Sequence, residues 1–331
     1  MRAIQYGRFG GYEELHLVDV PPPEPEDGQA VVRMSVAGVS PLDDTVRSGK
    51  LAAGMYKPLP IIPGGGGVGT VVEAGAGPVA EGTRVLVGGW GYGVRRDGTW
   101  RELVPADPAH LIPLPDGVDD VEAAALATGA GFSTAYLALT ELVELRPGQT
   151  VLAPGIGGSV GLGGVEVAKV LGASLAISTA STTHKADLGR AAGYEVIDLS
   201  RESLRDGVAR LTGGKGVDVV LDGVGGPITG EALASLAKDG SLISIGYSGG
   251  MSTTIDVTDL IWRTAHVHGF MFSLFTPDTV AAANATLLDL LAAGKVRPQV
   301  ARSFPLAGAA EAQRHLIEDR PFGRVLLELG L

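Results

Sequence analysis

The sequence predicts an α/β chain in two parts: a mostly-β domain that carries both chain ends, and a doubly wound parallel sheet inserted within it. Three observations predict this. The first hundred or so residues break into short Val-rich segments separated by Gly, Pro and Asp. From about residue 149, short apolar runs alternate with helical stretches, the signature of βαβ crossovers. The residues after 295 then fall out of that rhythm. At 331 residues the chain is long enough for two cores.

The elements follow in order. "RAIQY", "LHLVDV", "QAVVRMSVAGV", "GVGTVVEAG" and "TRVLVGG" read as strands of a barrel or partly open sandwich, with "VPPPEPEDG" as a rigid connector. Residues 119–143 read as one helix, with Asp119 or Asp120 as its N-cap. Strands "TVLAP", "LAIS", "YEVID" and "VDVVLDG" are each followed by a helix, at 158–171, 183–192, 202–211 and 229–237. "SLISIG" and "HVHGF" complete the sheet, and a helix at 278–294 ends on Gly294. The tail offers a strand, a helix and a terminal strand, expected to return to the N-terminal domain.

Composition narrows the function. Lys plus Arg number 26 against 37 Asp plus Glu, a net charge of −11, which disfavours nucleic acid and anionic membranes as partners. No run reaches the roughly 18 apolar residues of a membrane span, and the N-terminus lacks an apolar leader core, so a cytoplasmic location is expected. Cysteine is absent, which removes disulfides, thiolate nucleophiles and cysteine-based zinc sites.

Two glycine runs compete as an anion cradle. "IIPGGGGVGT" (61–70) is flanked by β segments, with no helix to supply an N-terminus. "VLAPGIGGSVGLGG" (151–164) leads from a strand straight into a helix. Small residues at Gly155, Gly157, Gly158, Ser159 and Gly161, with Val160 turned to the helix's apolar face, let backbone N–H groups approach a pyrophosphate. The cofactor therefore goes to the second run. An NAD site places Asp or Glu at the end of the next strand. Here Ser178, Thr179, Ser181 and Lys185 stand there, with no acid before Asp187, which favours NADPH over NADH.

Several stretches resemble the medium-chain dehydrogenase/reductase superfamily, in its zinc-free, quinone oxidoreductase-like (zeta-crystallin-like) branch. They are "AGVSPLDDTVRSG" (37–49), "LPIIPG", "GTWRELVPAD", "GGKGVDVVLDGVGG" (213–226) and the closing "FGRVLLEL". The resemblance implies a GroES-like catalytic domain, 1–123 with 296–331, and a Rossmann NAD(P)-binding domain, 124–295. It also implies NAD(P)H held between them and a homodimer joined through the edges of the Rossmann sheets. By the same resemblance Gly155, Gly158 and Gly161 meet the pyrophosphate, and Ser178, Ser181 and Lys185 lie near the 2′-phosphate. Gly246, Tyr247, Phe270 and Phe272 line the nicotinamide. Thr134, or Ser133 if the motif is shifted, meets the carboxamide, and Arg324 replaces a lysine close to the cofactor.

Departures bear on the chemistry. Ser40 replaces the branch's asparagine, or the cysteine of zinc-dependent members, and Thr45 replaces a tyrosine. Gly66 falls where an acidic residue stands in "P-G-x-E-x-x-G", so no metal is expected. His266 and His268 lie at period two on one strand and read as structural. Asp43 and Arg47 read as a structural pair, and Arg95 and Arg96 as solvated.

Without a Lewis acid, hydride transfer suits an acceptor that delocalises its own charge. The expected function is an NADPH-dependent reductase of quinones or activated C=C bonds, acting on a small molecule. Ser40 is at the candidate catalytic site. Tyr56, or Tyr92 beside Trp90 in a glycine-rich loop, is the candidate proton donor or wall. The alternatives are a zinc-free carbonyl reductase, an acryloyl-CoA-type reductase, and a non-enzymatic nucleotide-binding protein.

Overall fold

The computed structural model describes residues 1–89, 91–128 and 131–330. The chain divides into two units: residues up to 129 with those from 277 onward, and residues 130–276.

The first unit opens with β1 (Arg2–Gln5), β2 (His16–Asp19) and the long β3 (Ala30–Gly38). α1 (Pro41–Arg47), β4 (Gly67–Glu73), β5 (Arg84–Val87), β6 (Leu103–Ala106), β7 (Leu111–Pro113) and α2 (Asp120–Ala127) follow. In the second unit come α3 (Gly131–Leu137), β8 (Thr150–Ala153), α4 (Ser159–Val170), β9 (Leu175–Ala180) and α5 (Thr183–Ala191). It continues with β10 (Glu195–Asp198), α6 (Leu204–Thr212), β11 (Val217–Asp222), α7 (Pro227–Leu233), β12 (Leu236–Ser244), α8 (Val257–Arg263) and β13 (His266–Gly269). The chain re-enters the first unit with α9 (Pro277–Ala292), β14 (Val300–Pro305), α10 (Ala309–Arg314) and β15 (Arg324–Glu328).

In the first unit, the sheet runs β14-β15-β3-β4-β5-β7, with β6 also on β3. The terminal β15 lies antiparallel to β3, so the chain end closes the N-terminal sheet. Alternating Val residues of β3 to β6 fill a core around Trp100, whose indole N–H donates to the Gly38 carbonyl at 3.0 Å. The glycine quartet is a packing device. Gly64 has φ +104, and a Cβ there would lie 2.4 Å from the Trp100 ring; at Gly67 it would lie 2.4 Å from the Val36 carbonyl.

In the second unit, six parallel strands run β10-β9-β8-β11-β12-β13. The strand order reverses beside β8, and ligands bind at such a switch point, outside the carboxyl ends of the strands. Leu152, Ile177, Ile197, Val220 and Leu242 carry the sheet's share of one core face, covered by Leu204 and Val208 of α6 and Leu233 of α7.

Three elements differ from expectation. The helix read across 119–143 ends at Thr128, resumes as α3 and closes in a π-helical turn, Ala138–Leu142. Gly129 and Gly131 are the local signal of the break, a pair of helix-weakening residues that the surrounding apolar run outweighed in the reading. α8 is missing from the sequence reading because its apolar residues face outward: Val257, Ile261 and Trp262 are exposed. The 277–292 helix groups with the first unit, whereas the sequence placed the boundary at 295/296, because it packs on α2 and β7.

Candidate functional site

The second glycine run forms a tight cradle. Gly155, at φ +85, turns the chain out of β8, and its N–H donates to the Thr179 hydroxyl at 3.0 Å. The Ile156 N–H donates to the Thr179 carbonyl (2.8 Å) and the Gly158 N–H to the Gly155 carbonyl (2.8 Å). α4 then begins, with Gly158 as its N-cap. A Cβ on Gly161 would sit 2.1 Å from the Gly155 carbonyl oxygen, and one on Gly164 2.5 Å from the Ala153 Cβ. Only glycine lets the helix approach β8 this closely. Gly157, Gly158, Ser159 and Val160 remain open to solvent at the positive end of the twelve-residue α4. The residues fit a dinucleotide pyrophosphate.

The end of β9 corrects one expectation. Ser178 is fully buried, and its hydroxyl donates to the Ala153 carbonyl inside the sheet, so it has no face for a ligand. Thr179 holds the cradle from beneath. Ser181 is exposed, and Thr182 caps α5 by accepting from the Lys185 N–H at 3.3 Å, which sets Lys185 on the helix's first turn. Asp187 faces solvent and pairs with Arg190 at 3.1 Å. Asp198 ends β10, and its carboxylate accepts from the hydroxyls of Thr183 (2.7 Å) and Ser200 (2.5 Å). The Ser200 and Thr183 hydrogen bonds hold its pKa below the ordinary carboxylate value.

Sequence reasoning missed Asp222, the buried last residue of β11. One carboxylate oxygen accepts from the N–H groups of Val224 (3.0 Å) and Gly225 (2.9 Å), and the other accepts from the Thr229 hydroxyl. Its carbonyl accepts from Ile245 (2.9 Å) and Gly246 (3.1 Å). One aspartate thus ties the β11 loop to the end of β12. The signal was an acid immediately before "GVGG". Gly246 and Tyr247 line a cavity of about 270 Å³ with Gly225, Gly226, Thr229 and Met251. Phe270 is buried, with Phe272 edge-on at 5.3 Å. Ser133 and Thr134 are both buried in α3.

In the first unit, Asp43 is a second buried hub. Its carboxylate accepts from the Ser40 N–H and hydroxyl, both at 2.7 Å, and from the Gly64 N–H at 3.1 Å. Burial pushes the Asp43 pKa up, against those hydrogen bonds and the nearby Arg324 charge. Arg324 donates to the Thr128 carbonyl at 2.6 Å, and its Nε has no partner among the described residues. Burial brings its pKa down to about 10. The expected Asp43–Arg47 pair is not formed. Arg47 instead bonds Asp44, Gln313 and the Gly10 carbonyl, because α1 turns Asp44 and Arg47 onto one side three residues apart.

Tyr92 is not an exposed wall. Its ring is buried edge-on against His110, with the hydroxyl 3.4 Å from Nδ1, and burial pushes its pKa up to about 12. Arg96 is exposed, in line with the reading of it as solvated, with its guanidinium over that ring and paired with Asp107 at 2.9 Å. Trp90 lies outside the described residues. Tyr56 is half-buried, its ring edge-on to Phe9 at 5.0 Å.

The donor set around Ser40 does not fit a catalytic zinc: Ser40 is bound to Asp43, and Gly66 has no side chain to offer. Among the described residues, no three His, Asp or Glu converge as metal ligands.

Comparison with known proteins agrees with this architecture. Residues 26–116 match the family model "Alcohol dehydrogenase GroES-like domain", and residues 193–327 match "Zinc-binding dehydrogenase". A quinone oxidoreductase of Pseudomonas aeruginosa is 34% identical, the alignment covering 98% of this chain and 99% of that protein. Among solved structures, an NAD-dependent alcohol dehydrogenase superposes with a TM-score of 0.89 at 30% identity, all of both chains being covered. The Escherichia coli quinone oxidoreductase complexed with NADPH gives 0.86 at 27% identity, covering 99% of this chain and 100% of that one. The chain is an oxidoreductase of the medium-chain dehydrogenase/reductase superfamily and belongs to its quinone oxidoreductase-like branch.

Proposed function

We propose that the chain reduces quinones or activated C=C bonds, in enones or enals, using NADPH and no metal. The observation that carries this reading is the Gly155–Gly161 cradle, joined to a β9 end that has Ser181 and Lys185 where an NAD site has a carboxylate. NADPH supplies the hydride when bound. The chain's part is to bind and orient. The N–H groups of Ser159 and Val160, on the first turn of α4, take the pyrophosphate, Ser181 and Lys185 the 2′-phosphate, and Gly246 and Tyr247 bound the space over the ring. Arg324 contributes a fixed positive charge, and Ser40, held by Asp43, positions the β3–α1 turn. A buried Tyr92 with a raised pKa is a poor acid, so Tyr56 or solvent is the better proton source.

The chain also pairs with a second copy. Val257, Ile261, Trp262 and Val267 are all exposed beside β13, which ends the sheet.

The test is NADPH oxidation against a panel of quinones, enones and ketones. Turnover with quinones or enones supports the reading. The likeness to an alcohol dehydrogenase favours carbonyl reduction as the second reading, and ketone-only turnover would select it.

A further inference from the structure

β13 ends the second unit's sheet, with β12 on one edge and no strand on the other among the described residues. Its register pairs Val267 with Leu242 and sets His266 and His268 beside Ser241 and Ile243. Leu242 belongs to the core face that Leu260 of α8 covers, so Val267 points to that side and both histidines project from the opposite face. Their rings lie 6.5 Å apart and only 28° from parallel. One strand supplies two imidazoles, and structural zinc takes four ligands.

Residues 264–275, "TAHVHGFMFSLF", contain no Asp, Glu, Lys or Arg in a chain of net charge −11, so two copies meet here without repulsion. Trp262 is 77% exposed, and Val257, Ile261, Val267, Met271 and Leu274 are each more than half exposed. Together they expose on the order of several hundred Å² of apolar side chain, the scale on which one partner contributes to a standard interface.

We propose that two copies join β13 to β13, antiparallel about a two-fold axis at Val267, and that their four histidines form an intersubunit site for a divalent transition-metal ion of the zinc class. That symmetry puts His266 of each copy opposite His268 of the other, with Cβ atoms about 5 Å apart and all four rings on one face. Neutral imidazoles at that spacing suit Zn²⁺, Ni²⁺ or Cu²⁺. The ion lies apart from the cofactor cradle and cross-links the subunits. The inference rests on the dimer reading.

The experiment uses tag-free full-length protein, stripped with EDTA and titrated with ZnCl₂ by calorimetry, with sedimentation equilibrium before and after. The expected result is one zinc per dimer and at least about tenfold tighter dimerisation. His266→Gln/His268→Gln should remain dimeric yet lose the zinc and the tightening. A metal-free dimer that takes up no zinc, or a double variant that binds zinc like the wild type, would overturn the site while leaving the dimer intact. A monomer with and without zinc would overturn both. A monomer that zinc converts to a dimer would support the site and show that the metal drives the pairing.

Discussion

Gly161 and Lys185 carry the cofactor reading at single positions. A Cβ at 161 would lie 2.1 Å from a backbone oxygen, a contact that no rotamer change relieves. Gly161→Val should therefore force the cradle open and raise the NADPH dissociation constant at least about tenfold, about 1.4 kcal/mol, as read by NADPH fluorescence titration. Unchanged affinity would remove the cradle from the site. Lys185→Ala should weaken NADPH about tenfold and NADH less than about twofold, since a charge-assisted contact to a phosphate is at stake. Equal losses for both nucleotides would place the lysine elsewhere. Residue types revealed which positions were candidates; burial decided among them. Ser178 and Ser181 are indistinguishable in a string of hydroxyls, but β9 buries both its faces, Ser178 and Thr179 alike, and ends at Ala180, so only Ser181 emerges beyond it. In the same way, "GWGYG" suggested a wall for the substrate, and nothing local disclosed that Tyr92 turns inward onto His110.

Single aspartates at strand ends fix the loops between elements. Asp198 joins β10 to the start of α5 through Thr183, and its pKa is lowered in the folded state. A lowered carboxylate stabilises the fold above its unfolded pKa of about 3.9, and that stability is lost as pH falls through the folded value. Asp198→Asn should thus lower the melting temperature at neutral pH. The gap to wild type should close below about pH 4 in a series of thermal melts. A gap that does not narrow at all as the pH falls below about 4 would mean the carboxylate's charge is not what matters. The βα alternation was legible because β8, β9, β10 and β11 each carry a buried run and α4 and α6 each bury an apolar face. α8 was not, because three of its four large apolar residues, Val257, Ile261 and Trp262, are exposed while Leu260 alone packs on the core. That inversion of the usual pattern is itself the sign of an unsatisfied surface. The end of α2 was passed over although Gly129 and Gly131 mark it, because both helices bury apolar residues on either side of the glycines.

For the whole molecule, the family and both folds were legible in motifs spread along nearly the entire chain. Function narrows less, because hydride chemistry depends on what the acceptor can delocalise rather than on one diagnostic triad. The central claim is that this protein moves hydride from NADPH to an electron-poor acceptor without metal assistance, its own residues binding and orienting both molecules. The most direct test is single-turnover reduction of an enone by 4-deuterated NADPH after exhaustive EDTA treatment, with the product analysed by NMR. The account predicts a saturated ketone with deuterium on the β-carbon, formed at a rate that EDTA does not change. An allylic alcohol with deuterium on the carbinol carbon, a rate that collapses on chelation and returns with zinc, or no transfer to any enone or quinone would contradict it.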